Sequence, residues 1–316
     1  MTSDKISSGV VSLIYPGARW IHRSGKGMLD FGYNQINDVK LAKIDFYPDS
    51  QDIFKEVAIA DGISIVYKNI RKKTRGFKYV YHKGGLDIET EMDNPGYDLI
   101  PLNPRDGSIL DKVSKFVLNN NLSYIHDRVL SQKLFGIESS FVENNYDKVR
   151  LYTNDIDVDY SKEIKLFAND KAGKAGRSTW YVIDRKYIPE NKKYIDEWQV
   201  VVSSANAGGQ KRDNQLEIID NKSAFGRSRV ALGSFKTYEE ALNFYNYIKS
   251  YTVKFLFLMT DEALTSLGKK VPDLCNYSMS NSFINYSQNI DEQLCSLMDI
   301  NKEEFEYIKN TIDSIR

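Results

Sequence analysis

Two segments of this chain combine glycine with cationic and amide side chains. The first is Asn169-Asp170-Lys171-Ala172-Gly173-Lys174-Ala175-Gly176-Arg177. The second is Ala205-Asn206-Ala207-Gly208-Gly209-Gln210-Lys211-Arg212-Asp213-Asn214-Gln215. Glycine lets a backbone come close to a phosphate, and Lys171, Lys174, Arg177, Lys211 and Arg212 supply counter-charge. Asn206, Gln210, Asn214 and Gln215 carry the paired donor and acceptor that suit an adenine edge. Arg227 and Arg229, in GRSR, suit a guanine edge or a phosphate. Between Lys68 and Lys83 lies a basic run in which Lys72, Lys73 and Arg75 are further candidates for phosphate contact. Each set has a plainer reading: the loops as polar turns between strands, the run as a solvated linker.

Composition bounds what these residues can belong to. The 316 residues are 41% hydrophobic and 27% charged, with 43 Lys plus Arg against 43 Asp plus Glu. This is a soluble, folding composition with no net charge, which excludes a generally basic nucleic-acid protein but not a local basic face. Cys275 and Cys295 rule out a disulfide framework, and His22, His82 and His126 are too scattered for a metal cluster. There is no apolar run of about 18 residues, so no membrane span is expected. The polar start MTSDKISSG lacks a signal segment, so a cytoplasmic, reducing setting is expected. Phosphate-loop, HExxH, GxSxG and GxGxxG patterns are missing. The alternating Asp155, Asp157 and Asp159 lack the Gly and Glu of a calcium loop and read as a solvated face.

The elements that would position these loops follow from periodicity. Val10–Tyr15, Leu41–Tyr47 and Gly62–Tyr67 read as strands, the first as a buried strand of a parallel sheet, with a helix within Met28–Val39. Thr179–Ile183, Trp198–Ser203 and Val230–Phe235 are further strands. Thr237 with Glu240 predicts a capped helix running to about Met259, its aromatics mostly core. Asn301 with Glu304 opens a closing helix. Charge segregates: Gly62–Leu86 holds no acid, whereas Asp87–Asp111 is acidic, contains three prolines and reads as loop. A domain boundary is placed at 72/73.

The stretch GVVSLIYPGARW…KIDFYPDSQDIFKEVAIADGISIVYKN resembles the adenine-N6 DNA methyltransferases of bacterial restriction–modification systems, including fused type II restriction–modification enzymes. The matching order is a strand ending in proline (Leu13-Ile14-Tyr15-Pro16), an aromatic turn (Ala18-Arg19-Trp20), a helix and a strand (Ile44-Asp45-Phe46). A DxF segment (Asp52-Ile53-Phe54) and a glycine-led strand (Gly62–Tyr67) complete it. Trp198-Gln199-Val200-Val201, Gly233-Ser234-Phe235 with Glu239-Glu240-Ala241, YIKSYTVKFLFL, and Asp291–Leu294 with NKEEFEYI are similar to the family's target-recognition region. The resemblance spans most of the chain.

It implies an α/β fold: residues 1–72 as the C-terminal portion of a Rossmann-like methyltransferase sheet, residues 73–316 as a mixed α/β (α+β) target-recognition domain. It implies double-stranded DNA as partner. Asn94-Pro95-Gly96 and Asn103-Pro104-Arg105 are not the family's NPPY. The glycine-rich loop for S-adenosylmethionine is missing too. The chain is therefore expected to bind no cofactor, to carry no catalytic residue, and to need an N-terminal methyltransferase portion, with or without a nuclease domain. Phe54 matches the aromatic that stacks on the flipped base, where stacking is worth about 1–3 kcal/mol. The other reading of Phe54 is a core plug. Two alternatives remain for the chain: a self-contained nuclease, for which Pro272-Asp273 has no following ExK, and an interaction subunit of a split methyltransferase.

Overall fold

The structure is a computed structural model that describes residues 8–23, 27–59, 61–210, 212–260 and 263–315. The fold is mixed α/β, in two compact units: Met1–Lys112 with Met259–Ser266, and Val113–Leu258 with Leu267–Arg316. Among the described residues no helix is long and apolar enough to cross a membrane.

The first unit is built on β1 (Val10–Pro16), α1 (Met28–Ile36), β2 (Leu41–Tyr47), β3 (Ile63–Asn69), β4 (Phe77–Lys83) and β5 (Leu86–Met92). The sheet order is β1-β3-β2-β4-β5. β3 lies antiparallel between β1 and β2, β4 is parallel to β2, and β5 is antiparallel to β4. Alternate residues point to one face, where Leu41, Ile44, Phe46, Val66, Phe77 and Tyr79 pack with Trp20 and Ile36. Trp20 Nε1 donates to Ser64 Oγ at 2.7 Å, satisfying both groups in that core.

Two expectations change here. VVSLIY is not a buried parallel strand but the antiparallel edge of the sheet, with Val10 and Ile14 mostly exposed. The acidic block is not all loop, because it opens in β5, which runs to Met92. Gly84 (φ +58°) and Gly85 (φ +77°) make the two-residue turn that only left-handed backbone allows, and Lys83 faces Leu86 across it. Charges segregated along the sequence then meet in space: Lys78 Nζ sits 2.5 Å from Glu89, and His82 bridges Asp45 and Asp87 at 2.9 and 2.7 Å. The sheet thus runs well past residue 72, and the compact units divide after Lys112 instead.

α2 (Gly107–Asn119) crosses that division in the sequence. In the second unit β6 (Ser123–Tyr124) pairs with β14 (Pro272–Asp273), and α3 spans Phe141–Asn144. β7 (Val149–Leu151), β8 (Glu163–Asn169), β9 (Ser178–Asp184) and β12 (Ser223–Phe225) form a sheet of order β12-β8-β9-β7. β10 (Trp198–Ser203), β11 (Glu217–Ile219) and β13 (Arg229–Phe235) form a second, of order β11-β10-β13. Phe135, Leu166, Ile183, Val201, Phe225 and Ala231 join them in one core.

The helix expected over Thr237–Met259 is two: α4 (Tyr238–Lys249) and α5 (Tyr251–Leu258). Thr237 caps the first as expected. Ser250 turns extended (ψ 153°), and the Asp291 carboxylate accepts from the Tyr251 and Thr252 N–H groups at 3.0 and 2.9 Å. A carboxylate on the first N–H groups starts a new helix. Phe244, Tyr247, Phe255 and Phe257 are buried, as an aromatic core stripe. α6 (Ile290–Leu297) and α7 (Lys302–Asp313) follow, the latter with the full Asn301–Glu304 capping box.

Candidate nucleic-acid interface

Strand direction brings three separated loops of the second unit together. β12 runs parallel to β8, so both finish at the end where loop 170–177 leaves for β9. The Gly226 N–H donates to the Phe167 carbonyl at 2.8 Å, which seats turn 226–228 beside that loop. Arg229 then opens β13 opposite Ser203, the last residue of β10. Ser204 N–H reaches the Ser228 carbonyl at 3.0 Å, and Ser203 N–H closes loop 204–214 on the Asn214 carbonyl at 2.7 Å.

Loop 170–177 presents its cations outward. The Asp170 carboxylate accepts the Arg177 and Lys171 N–H groups at 2.7 and 2.8 Å, and these bonds hold its pKa below the ordinary aspartate value. Lys171, Lys174 and Arg177 are exposed around this anchor. The Arg177 guanidinium rests on the Lys174 and Gly176 carbonyls at 3.2 and 3.1 Å.

Loop 204–215 spends its amides inward. Asn206 is 3% exposed and donates to the Arg212 carbonyl. Gln210 donates to the Phe257 carbonyl at 3.3 Å, and Asn214 to the Ala207 carbonyl at 3.1 Å. These groups hold the loop's shape, so the expectation that Asn206 and Gln210 meet base edges is replaced by a structural role. Arg212 is exposed; Lys211 lies outside the described residues.

The GRSR pair also divides. Arg229 is 8% exposed, bonded to Glu217 and to Gln215 at 2.7 Å each and stacked over Phe167 at 4.8 Å. It braces the sheet and is not placed to contact a ligand. Arg227 stays half-exposed, 3.1 Å from Glu138, whose pKa is held low by its bonds to Lys133 and Arg227.

In the first unit Phe54 sits on the β2–β3 connection and is 40% exposed. Ser50 anchors the connection: its Oγ donates to the Val57 carbonyl and accepts from Ile59 N–H, both at 2.7 Å. Exposure removes the core-plug reading of Phe54. The basic run is less available than its sequence suggests. Lys68 is buried against Asp38 at 2.8 Å, Lys72 Nζ donates to the Val39 and Gly76 carbonyls, and Arg75 to the Asn94 carbonyl at 2.9 Å. Lys73 is exposed. This turn follows β3 while Phe54 precedes it, so they occupy opposite ends of strands about 20 Å long at ~3.3 Å per residue.

The sequence gives no sign of a recess of about 60 Å³ beside loop 204–215, lined by Gly208, Gly209, Arg212, Lys254, Phe257 and Ile312. Lys254 lies in an otherwise apolar helical stretch, which carries no sign of a ligand. The segment after β1 does not fit S-adenosylmethionine: it reads Pro16-Gly17-Ala18-Arg19-Trp20, with Ala18 and Trp20 buried and Arg19 held by Asp61 at 2.6 Å. Among the described residues no three His, Cys, Asp or Glu side chains are grouped so as to hold a metal ion.

No family model and no curated protein matches the chain. Among solved structures it is similar to the type IIG restriction endonuclease BpuSI, at 10% identity and a TM-score of 0.28, over 92% of this chain and 42% of that one. The chain thus spans less than half the length of that enzyme, and a likeness of this degree carries no argument about its fold or activity.

Proposed function

We propose that this chain recognises double-stranded DNA as the C-terminal part of a restriction–modification adenine-N6 DNA methyltransferase. Methyl transfer belongs to an N-terminal portion that binds S-adenosylmethionine. The observation that supports this reading is the gathering of Lys171, Lys174, Arg177, Arg212 and Arg227 at one end of the second unit, on loops far apart in sequence. Cations on pinned backbone bind phosphates and fix register, which is the sequence-independent part of DNA recognition. In this reading loop 170–177 and Arg227 are the groups that meet groove edges, since the amides of loop 204–215 are used internally. Phe54, exposed on a held connection, is the ring offered to an extruded base once the catalytic portion is present. A cytoplasmic setting goes with a DNA substrate.

The test is retention of random duplexes by this chain at low and near-physiological salt, followed by sequencing. Enrichment of a short adenine-containing motif is the expected result. Failure to retain any duplex at low salt, with and without an added methyltransferase portion, would overturn it. Metal-dependent cleavage of the retained DNA would replace it with the nuclease alternative.

A further inference from the structure

We propose that β1 is a self-association edge, along which a second copy of this chain pairs. β1 has the composition of an interior strand and the position of an edge strand. Its sequence, VVSLIYP, carries no charge and places apolar residues on both faces, as in strands covered on both sides. It is nevertheless the outermost strand of its sheet, and among the described residues no strand pairs with its free side. The other edge of the same sheet is guarded: β5 carries Asp87, Glu89 and Glu91, all exposed, which would repel a second β5. β1 has no such guard, and Val10, Ser12 and Ile14 are exposed along it.

Hydrogen bonds fix which backbone groups face outward. The Gly17 N–H donates to the Gly62 carbonyl at 2.7 Å, and the Ile70 N–H to the Gly9 carbonyl at 2.9 Å. These bonds bracket an antiparallel register that runs from Val10 opposite Asn69 to Pro16 opposite Ile63. Antiparallel bonding alternates along a strand. Val11, Leu13 and Tyr15 therefore also turn toward β3, and the N–H and carbonyl groups of Val10, Ser12 and Ile14 turn away from it. This outward row is self-complementary about Ser12. With a second copy running antiparallel, Ser12 faces Ser12 and Val10 faces Ile14, and each outward N–H and carbonyl of these residues is used. Val10 meets Ile14 on one face of the joined sheet and Val11 meets Leu13 on the other, so apolar side chains meet on both. Pro16 has no N–H and lies just past this ladder; sliding it inward loses a donor, which favours the register centred on Ser12. A twofold axis at Ser12 closes the assembly at two copies. One strand pair is a small contact, so association is weak and grows with protein concentration. The loops proposed to contact DNA belong to the other compact unit, so the pairing stands apart from that reading.

The experiment follows the full chain by sedimentation over a wide concentration range, for the wild type, Ser12→Lys, Ser12→Glu and an equal mixture of the two variants. The wild type should move from one chain toward two as concentration rises. Each variant alone should associate about 3- to 5-fold more weakly, because like charges then stand directly opposite each other. The mixture should recover the association, because the opposite charges face each other only where Ser12 faces Ser12. Hydrogen exchange at the Val10, Ser12 and Ile14 amides should slow as the wild type is concentrated, and slow less in either variant. A wild type that stays a single chain at every concentration would overturn the proposal, as would association that neither variant weakens. Weakening in both variants with no recovery in the mixture would overturn the pairing about Ser12. Ser12 is exposed, so both variants should fold; if they do not, the concentration dependence of the wild-type amides decides alone, and its absence would overturn the edge.

Discussion

Loops 170–177 and 204–215 are alike in composition and opposite in use. Both mix glycine and cations between two strands. In the first, one carboxylate, Asp170, ties the backbone and leaves Lys171, Lys174 and Arg177 outside. In the second, three amides turn inward and become part of the frame. A side chain's chemistry says which bonds it can make, whereas burial decides who its partner is. A buried amide must be bonded by the protein itself, at a cost of about 1–3 kcal/mol if it is not. The same divide runs through the basic residues, with Arg229 and Lys68 inside and Arg212 and Lys73 outside.

The comparison breaks most visibly at the first loop. Replacing Lys171, Lys174 and Arg177 together with Gln should reduce the salt slope of duplex binding by up to about three and weaken binding by about 100-fold near physiological salt. The melting temperature should hardly change, because exposed charges contribute little to stability. Binding measured against salt, alongside thermal unfolding, reads both. Unchanged affinity would move the interface elsewhere.

The second loop predicts the converse. Asn206→Ala removes a buried hydrogen bond and leaves the Arg212 carbonyl without it, costing about 1–2 kcal/mol of stability. That corresponds to a fall of about 2–8 °C in Tm by calorimetry. Any effect on DNA should be a proportionate loss at every sequence. A change in the preferred base, with stability intact, would restore Asn206 as a reader.

How much of this was legible follows from the same divide. Strands and helix caps depend on local spacing, so Leu41–Tyr47, Trp198–Ser203 and the Asn301–Glu304 box are where periodicity places them. What escaped depends on partners distant in sequence. The new helix start at Tyr251 is held by Asp291, 40 residues on. The Gly84-Gly85 turn was a readable hairpin signal, obscured by the contrast in charge on either side of it. The gathering of loops 170–177, 204–215 and 226–228 depends on β12 lying parallel to β8, which a three-residue strand does not announce. Phe54 is the converse case: its role comes from a resemblance, and the structure contributes its exposure.

The inward side of the divide has a titration signature in the first unit. Burial raises the Asp38 carboxyl, but the Lys68 bond, the Lys40 N–H and the charges of both lysines together outweigh it and hold Asp38 below the ordinary aspartate value. A carboxylate with a lowered folded pKa binds a proton more readily when unfolded. Its contribution is therefore complete above about pH 4 and is lost as pH falls through the folded value. Unfolding free energy measured from pH 5 down to pH 2 should decline more steeply in the wild type than in Asp38→Asn. Parallel curves would show that the Lys68–Asp38 contact does not contribute in this way.

Phe54 gives the smallest expected effect on stability. Truncating a buried phenylalanine costs about 3–5 kcal/mol, because it leaves a cavity as well as losing transfer energy. At 40% exposure, with its connection held by Ser50 instead of by the ring, Phe54→Ala should cost well under half of that, about 1 kcal/mol or less. Chemical denaturation of the chain alone measures it. A ring kept outside for contact with an extruded base should lose its effect on stability but keep one on methylation when the chain is joined to its catalytic portion, with Phe54→Trp or Phe54→Tyr restoring what Ala removes. A loss of several kcal/mol on truncation would instead place the ring in the core and withdraw Phe54 from the outward set.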